Sequence, residues 1–239
     1  GGSHSDAHSA LRHCEQLLKD GAHLLDIGGK STRPGAPPVS LDDELARVLP
    51  VVRGATALGV PVSVDTYKPE VMRAVLDAGA DIINDVWALR RGDGVAAVAG
   101  HPSCGVCLMH MHLEPQTMQV APMDGDVVAQ VRAFLRERAN TLQTAGVARS
   151  RIALDVGIGF GKTVKQNFAV LAAQAELLNE AMPWLVGWSR KSSLGAVTGR
   201  EVPADRVAAS VAAALLAVER GAHIVRVHDV RETVDALRV

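Results

Sequence analysis

The sequence predicts an α/β fold, a (β/α)8 TIM barrel formed by residues 1–239 as a single domain, and three observations favour it. Short runs rich in Val, Ile and Leu alternate with longer segments of helical period along the whole chain. The runs are almost continuously apolar, which is typical of parallel strands that are covered on both faces. Nearly every run ends in polar or glycine residues, and barrels of this class carry their sites at the carboxyl ends of the strands. An open doubly wound sheet is the alternative architecture.

Seven candidate strands follow one another along the chain. Each contains several Val, Ile, Leu or Met residues and carries polar or glycine residues at or near its carboxyl end. Because a closed barrel of this class has eight strands, we expect its first strand to precede residue 1 and to be absent through truncation or disorder. The seven candidates are residues 23–29, 60–66, 81–86, 105–112, 151–157, 183–189 and 223–229.

Helical patterns separate these strands, and several of them end in Gly just before the next strand, which is a common stop signal. Two connections, residues 29–40 and 190–205, are long and rich in Gly, Pro and Ser, so we expect irregular loops with a functional role there. The helical segments are residues 6–22, 41–59, 68–80, 127–146, 167–179 and 204–222.

The composition restricts the classes of function. The 239 residues are 48% hydrophobic but only 3% aromatic, and their net charge is −1, which argues against a broad nucleic-acid or membrane footprint. No apolar run approaches the length of about 18–20 residues that a membrane span needs, and no signal-peptide pattern is visible. Three cysteines do not indicate a secreted disulfide framework. We therefore expect a cytoplasmic enzyme that acts on small molecules, with neither nucleic acid nor a membrane as partner.

Ionisable and amide side chains close all seven candidate strands. Asp85 and Asp229 are expected to cap the helices that follow them. The remaining side chains are more than capping requires, and polar groups that converge at one mouth of an apolar barrel indicate a small-molecule site. They are Asp26, Asp65, Thr66, Asn84, His110, His112, Asp155, Ser189, Arg190, Lys191, Arg226 and His228.

A cluster of cations is expected after the last two strands. Arg190 and Lys191 follow the strand at 183–189, and Arg226 and His228 are two residues apart in the last strand, so that both face one side. Because barrels frequently bind phosphate at this place, we predict an anion site; solvated surface charge is the alternative.

The segment GIGFGKT, residues 157–163, resembles a phosphate-binding loop but does not match its spacing. Such a loop needs a glycine five residues before Gly161, and Val156 occupies that position. The pattern therefore predicts a tight loop after a strand and not a nucleotide site.

Two metal patterns are weak. His101, Cys104 and Cys107 have zinc-like spacing, but no second ligand pair follows them. His110 and His112 could face one side of a strand, but a hydrolase site would need further ligands from other strands. A structural zinc and a metal hydrolase remain alternatives.

Seven segments in order resemble the dihydropteroate synthase family. They are DIGGKSTRPGA, SVDTYKPEV, IINDV, CLMHM, LDVGIGFGKT, VGWSRKSSLG and IVRVHDVRETVDA, and together they extend over essentially the whole chain. The resemblance implies that 6-hydroxymethyl-7,8-dihydropterin diphosphate and para-aminobenzoate are condensed to dihydropteroate, with release of diphosphate and assistance by Mg²⁺. The first strand, outside the numbered chain, would carry the metal-proximal Asn, so that the numbered chain alone should be inactive and no metal ligand is assigned within it.

The resemblance also implies roles for individual residues. Arg226 and His228 would hold the diphosphate, and together with Lys191 and Arg33 they form the expected catalytic set. The aminobenzoate subsite would be shaped by Thr32, Arg33, Pro34 and Ser192. The pterin would be held by Asp65, Asn84, Asp155 and Lys191, with Met109, Phe160 and Gly187 lining its pocket.

The resemblance further implies a homodimer and sulfonamide inhibitors. The chain departs from the family pattern at two positions: Lys30 stands where the family usually carries Glu, and Val156 where it usually carries Pro. The first change replaces an acid with a base in a loop of the site, and it bears on loop closure and activity. The second affects only a turn.

Two other functions are compatible with parts of the pattern. A methyltetrahydrofolate-binding methyltransferase would share the Asp, Asn and Asp residues, but it has no evident need for the TRPG and SRKS loops or for Arg226 and His228. The second alternative is a non-catalytic module that binds a pterin or has a regulatory role. Lys30, which stands where the family usually carries Glu, is the residue that suggests it. Binding without turnover would distinguish this module from the enzyme.

Overall fold

A computed structural model of the chain describes residues 6–31, 37–113, 122–177 and 182–239. The chain forms two compact units. Unit 1 comprises Gly1–Met109 and Arg138–Ile152, and unit 2 comprises His110–Glu137 and Ala153–Val239. The prediction of a single domain over residues 1–239 remains a prediction.

Unit 1 contains four parallel strands that pair in chain order. The register aligns Gly28 with Asp65, and Asp65 with Asn84, so that the carboxyl ends of three strands lie at one level. The strands are β1 (Leu25–Gly28), β2 (Val62–Asp65), β3 (Ile82–Asp85) and β4 (Gly105–Met109), and the helices are α1 (Ala7–Lys19), α2 (Leu41–Ala55), α3 (Pro69–Asp77) and α4 (Gly94–Ala99).

Unit 2 contains three further parallel strands, which also pair in chain order. Helix α5 (Val127–Thr144) begins in unit 2 and ends in unit 1. The other elements of unit 2 are β5 (Ile152–Asp155), α6 (Val164–Ala172), α7 (Gln174–Leu177), β6 (Trp184–Val186), α8 (Ser192–Thr198), α9 (Val207–Glu219), β7 (Ile224–Val225) and α10 (Val230–Arg238), where β5 starts at the last residue of unit 1.

Local sequence signals explain where several helices start. The side chains of Asp6 and Ser40 accept hydrogen bonds from the first turns of α1 and α2. Thr163 and Gln166 form a reciprocal capping box at the start of α6, which satisfies two backbone N–H groups that the helix leaves unpaired.

The core consists mainly of Val, Leu, Ile, Met and Ala, and Trp184 and Trp188 are among its largest fully buried side chains. All four residues of β2 are buried, and Val62 and Val64 are completely inaccessible to solvent. A strand without an exposed face is what a parallel sheet covered on both sides requires. Within the described residues, no helix is both long and apolar enough to cross a membrane.

Within the described ranges all seven predicted strands are confirmed, whereas several helix predictions need correction. The segment 190–205 is not irregular, because α8 and a 3-10 helix, Pro203–Arg206, occupy most of it. The predicted helix at 167–179 begins earlier, at Val164, and is interrupted at Ala173. Helices α4 and α10 were not predicted, since each spans fewer than three turns and has only a short periodic pattern.

Candidate active site

In unit 1, Asp65 and Asn84 lie side by side at the ends of two paired strands. Both are almost fully buried, with 8% and 7% of their surface exposed. The Asn84 amide donates a hydrogen bond to Oδ2 of Asp26 over 3.2 Å. Met109, the last residue of β4, is buried in the same unit. The structure therefore brings a carboxylate and an amide together at one edge of this sheet.

Lys30 forms an ion pair with Asp65. Its Nζ lies 3.2 Å from Oδ1 of Asp65 and 3.3 Å from the main-chain oxygen of the same residue. Burial alone lowers the pKa of a lysine, but the carboxylates of Asp65, Glu44 and Asp85 outweigh it here and raise the pKa of Lys30 above its ordinary value. No local pattern predicts this contact, because the two residues are 35 positions apart.

A second buried ion pair lies in the same unit and was missed from the sequence. Glu44 of α2 is completely buried, and its carboxylate lies 2.7 Å from Nζ of Lys68. Its other oxygen accepts a hydrogen bond from the Thr66 hydroxyl over 2.7 Å. Thr66, which was predicted as part of the polar mouth, therefore anchors α2 to the end of β2.

The turn after β3 is held by Asp85, which corrects the prediction that it caps the following helix, because the N-cap residue of α4 is Asp93. Its two oxygens accept hydrogen bonds from the backbone N–H groups of Trp87 and Leu89, each over 2.8 Å. Burial raises the pKa of Asp85 to about 6, although these N–H groups and the charge of Lys30 act in the opposite direction.

In unit 2, Asp155 ends β5 and is 7% exposed. Its Oδ1 accepts a hydrogen bond from the N–H of Gly157 over 2.8 Å, so that the loop itself orients the carboxylate. Burial raises the pKa of Asp155, while the Gly157 N–H and the positive charges of Lys191, Lys162 and Arg226 oppose the rise. The carboxylate therefore has cations around it within its own unit.

The lysine of GIGFGKT points into the protein and not towards a phosphate. Lys162 is 3% exposed, and its Nζ lies 2.8 Å from Nδ1 of His110, 2.9 Å from the oxygen of Gly157 and 3.4 Å from that of Phe160. An ammonium group has three N–H donors, so these three acceptors match it. Burial lowers the pKa of Lys162 to about 7, an effect that the charge of Lys191 adds to and Asp155 opposes. The sequence-based rejection of a nucleotide loop agrees with this geometry.

Phe160 and Lys191 form one wall of the unit 2 site. Nζ of Lys191 lies 4.4 Å from the centre of the Phe160 ring, within cation–π distance. A Cβ atom at Gly187 would lie 3.9 Å from Cβ of Arg226, which is ordinary contact. Gly187 therefore brings the backbone after β6 close to Arg226.

Asp229 stands at the N-cap position of α10, but its side chain makes no capping hydrogen bond there, which corrects the prediction. It forms a two-point ion pair with Arg190 in which Nε of the guanidinium donates to Oδ2 over 3.0 Å and Nη2 donates to Oδ1. This hydrogen bonding raises the pKa of Arg190 above its ordinary value. The guanidinium of Arg190 therefore has a carboxylate partner within the protein.

Arg226 and His228 lie beyond the end of β7, because that strand stops at Val225; the prediction that both belong to the strand is wrong. The hydroxyl of Ser189 accepts the backbone N–H of His228 over 3.1 Å and lies 3.0 Å from Nδ1 of its ring. Desolvation and the charges of Arg226 and Arg190 lower the pKa of His228 to about 4, so this ring is a neutral donor at pH 7.

The predicted aminobenzoate residues are only partly described. Thr32, Arg33 and Pro34 lie outside the described residues. Ser192 is exposed at the first position of α8, directly after Lys191.

Three comparisons with known proteins bear on this geometry. A family model described as "Pterin binding enzyme" matches residues 1–228. A curated relative named dihydropteroate synthase, from Neisseria meningitidis serogroup B, is 49% identical over all of this chain and 86% of its own length.

The chain belongs to the dihydropteroate synthase family of pterin-binding enzymes.

Solved structures of the family agree with the fold. A Burkholderia cenocepacia dihydropteroate synthase complexed with 7,8-dihydropteroate is 58% identical and has a TM-score of 0.92, over 97% of this chain and 85% of that one. A Yersinia pestis dihydropteroate synthase in a sulfonamide drug complex is 42% identical and has a TM-score of 0.96, over 100% of this chain and 86% of that one. The predicted α/β barrel class is thereby confirmed.

The dihydropteroate synthase resemblance assigned no metal ligand within the chain. Among the described residues, no group of three His, Cys, Asp or Glu side chains could hold a metal ion. The ring nitrogen Nδ1 of His101 accepts backbone N–H groups from Ser103 and Cys104, and His110 is engaged with Lys162. The zinc and metal-hydrolase alternatives therefore have no support in the described part of this family member.

Proposed function

We propose that this chain is a dihydropteroate synthase, which joins 6-hydroxymethyl-7,8-dihydropterin diphosphate to para-aminobenzoate and releases diphosphate. One observation carries this conclusion: the chain is 49% identical along its whole length to a dihydropteroate synthase. The polar residues at the strand ends of both units are chemically suited to this reaction.

In unit 1, Asp65 and Asn84 would bind polar edges of the pterin. An ionised carboxylate only accepts hydrogen bonds, so Asp65 suits ring N–H donors. An amide both donates and accepts, so Asn84 suits a ring position that needs both. Met109, buried at the end of β4, would supply an apolar contact.

In unit 2, Asp155 would accept N–H groups of the pterin. The N–H of Gly157 already holds one of its oxygens, so the carboxylate is oriented before the ligand arrives. Phe160 offers a flat apolar wall, and Lys191 lies against that ring, from where it can donate to a pterin acceptor. Gly187 would leave room beside Arg226.

The diphosphate would be held by Arg226 and His228. Arg226 contributes a permanent positive charge, and the neutral ring of His228 can donate one hydrogen bond through its N–H group. Both stabilise negative charge that develops as the bond between the pterin methylene carbon and the diphosphate oxygen breaks. The nitrogen of para-aminobenzoate forms the new bond to that carbon and then loses a proton. Because an aromatic amine is neutral at pH 7, it needs no strong general base.

We also propose that Mg²⁺ assists the leaving group. The described residues do not fit a protein-held metal site, since no cluster of three suitable side chains occurs among them. The ion would therefore be bound mainly by oxygens of the diphosphate and by water, as Mg²⁺ commonly is in phosphate chemistry.

Ser192, exposed beside Lys191, would contribute to the aminobenzoate subsite together with Thr32, Arg33 and Pro34. The sulfonamide complex of the Yersinia pestis relative supports sulfonamides as inhibitors of this chain as well. We further propose that the protein acts in the cytoplasm as a homodimer. Exposed apolar residues of α9 support the dimer, because they have no core to pack against.

A coupled assay of diphosphate release tests this function. With the dihydropterin diphosphate, para-aminobenzoate and Mg²⁺ together, we expect one diphosphate per dihydropteroate, and omission of para-aminobenzoate is the control. Pterin binding without diphosphate release would identify a non-catalytic module. Methyl transfer from methyltetrahydrofolate without diphosphate chemistry would identify the methyltransferase alternative.

A further inference from the structure

The ion pair of Lys30 with Asp65 is placed unusually deep for two charged side chains. Only 4% of the Lys30 side chain and 11% of the Asp65 side chain are exposed, and Nζ lies 3.2 Å from Oδ1. Removing the partner of a buried lysine lowers the stability of the protein, because it leaves a buried charge without compensation. The pair must therefore be stabilised by the groups around it.

Lys30 is fixed by more than the carboxylate. Nζ also lies 3.3 Å from the main-chain oxygen of Asp65 and 4.9 Å from the centre of the Tyr67 ring. An ammonium group has three donors, and the carboxylate, the carbonyl and the ring face together occupy them. The nearby carboxylates of Glu44 and Asp85 hold it further, since both raise its pKa. Lys30 therefore need not leave its place when a ligand reaches Asp65.

The contact uses only one oxygen of the carboxylate. Among the described residues, no side chain or backbone group donates a hydrogen bond to Oδ2 of Asp65, whereas Oδ1 receives the lysine. The Asp65 side chain retains some exposure, and its Oδ2 is not among the fully buried oxygens that lack a partner. One oxygen is thus anchored, and the other remains for a ligand.

We propose that Lys30 is a positioning residue of the pterin site, which anchors Oδ1 of Asp65 so that Oδ2 is presented to an N–H group of the pterin. The proposal rests on the proposed function, because it deepens the role of Asp65 in that site. Lys30 acts through Asp65 and not by touching the ligand, and it is an intrinsic part of the site and not a competitor for it.

A double-mutant cycle with 6-hydroxymethylpterin as the probe tests the proposal. Calorimetry gives Kd for the parent, Lys30→Met, Asp65→Asn and the double variant. We expect Lys30→Met to weaken binding about tenfold or more, because the carboxylate loses a charge-assisted hydrogen bond that orients it. In the Asp65→Asn background the same change should alter Kd by less than about threefold, since the residue it acts on is already altered. Lys30→Arg should restore part of the affinity by keeping the charge.

Lys68→Met is the matched control. It removes another lysine of the same unit from a buried carboxylate, Glu44, without touching Asp65, and it should change Kd by less than about threefold. Thermal unfolding of every variant is measured first, and Lys30→Gln replaces Lys30→Met in the cycle if the latter does not fold.

Two outcomes overturn the proposal. Unchanged or tighter binding by the Lys30 variant would mean that Lys30 is neutral or competes with the ligand. An equal loss in both backgrounds would mean that Lys30 acts only on the fold. Failure of the parent to bind the probe would instead contradict the proposed function, and it is distinguishable because it precedes any substitution.

Discussion

Lys30 and Lys162 are both buried lysines, yet their surroundings move their pKa values in opposite directions. Three carboxylates outweigh burial around Lys30 and raise its pKa. Lys162 has mainly neutral acceptors, so burial lowers its pKa to about 7. The chemical role of a residue here depends on partners that are distant in sequence, and residue type alone does not determine it.

His228 provides a prediction about stability and pH. Its pKa of about 4 in the folded chain lies below the ordinary value of 6.5. Between these two values the unfolded chain binds a proton that the folded chain does not, so the free energy of unfolding should fall as pH falls through this window. The charges that face the ring are Arg226, Arg190 and Asp229.

Urea denaturation between pH 7 and pH 5 measures this effect. His228→Gln keeps a neutral donor but does not titrate, so its free energy of unfolding should depend less steeply on pH than that of the parent. The other histidines contribute equally to both proteins. Equal slopes would show that His228 titrates normally in the fold.

At the scale of elements, the loop after β5 depends on glycine. Gly157, Gly159 and Gly161 all have positive φ, and a Cβ at Gly161 would lie 2.6 Å from Cβ of His112 and 2.8 Å from its oxygen. Gly161→Ala should therefore be disfavoured both by its conformation and by a clash.

Gly199 gives a matched comparison, because its φ of 67° is close to the 71° of Gly161 and nothing lies within 4 Å of its Cβ position. We expect Gly199→Ala to lower the free energy of unfolding by about 1 kcal/mol and Gly161→Ala by about 3 kcal/mol. Chemical denaturation measures both values. Equal losses would mean that the approach to His112 is unimportant.

The turn after β3 contains two consecutive residues in the left-handed region, Ala88 and Leu89, with φ of 52° and 57°. Neither is a glycine, so the conformation must be maintained by other contacts. The carboxylate of Asp85 accepts hydrogen bonds from backbone N–H groups of the turn. The guanidinium of Arg138 donates hydrogen bonds to the main-chain oxygens of Ala88 and Leu89 over 2.9 and 3.3 Å. No local signal in the sequence pointed to Arg138, which is 50 positions from Ala88.

The strands and most strand-end residues could be predicted, because apolar runs and the polar residues that end them are local signals. The ion pair of Arg190 with Asp229 could not be predicted from the sequence, because the two residues are 39 positions apart and meet only in the folded chain. Arg190 was predicted as part of an anion site, and its carboxylate partner could not be read from the sequence. Helix α8 was missed because its Gly and Ser content is typical of a loop.

At the scale of the whole molecule, self-association is the property to test. Leu216 of α9 and Leu237 of α10 are both 39% exposed, and they differ in the helix that carries them. If α9 forms the dimer interface, Leu216→Glu should produce monomers and Leu237→Glu should not, because a buried charge without a partner opposes association. Light scattering at micromolar concentration measures the mass. A monomeric parent, or dissociation by Leu237→Glu alone, would contradict the proposed interface.

The central claim is that a pterin binds to the carboxylate of Asp155, and the affinity of Asp155→Asn for 6-hydroxymethylpterin tests it most directly. The amide can keep the hydrogen bond from Gly157 but places a donor against a ligand donor. We expect Kd to rise by about 30- to 1000-fold, which corresponds to about 2–4 kcal/mol. Asp124→Asn is the matched control, because this exposed aspartate also accepts a glycine N–H, from Gly125. Calorimetric affinities that are equal for the parent and Asp155→Asn would contradict the assignment of this site to a pterin.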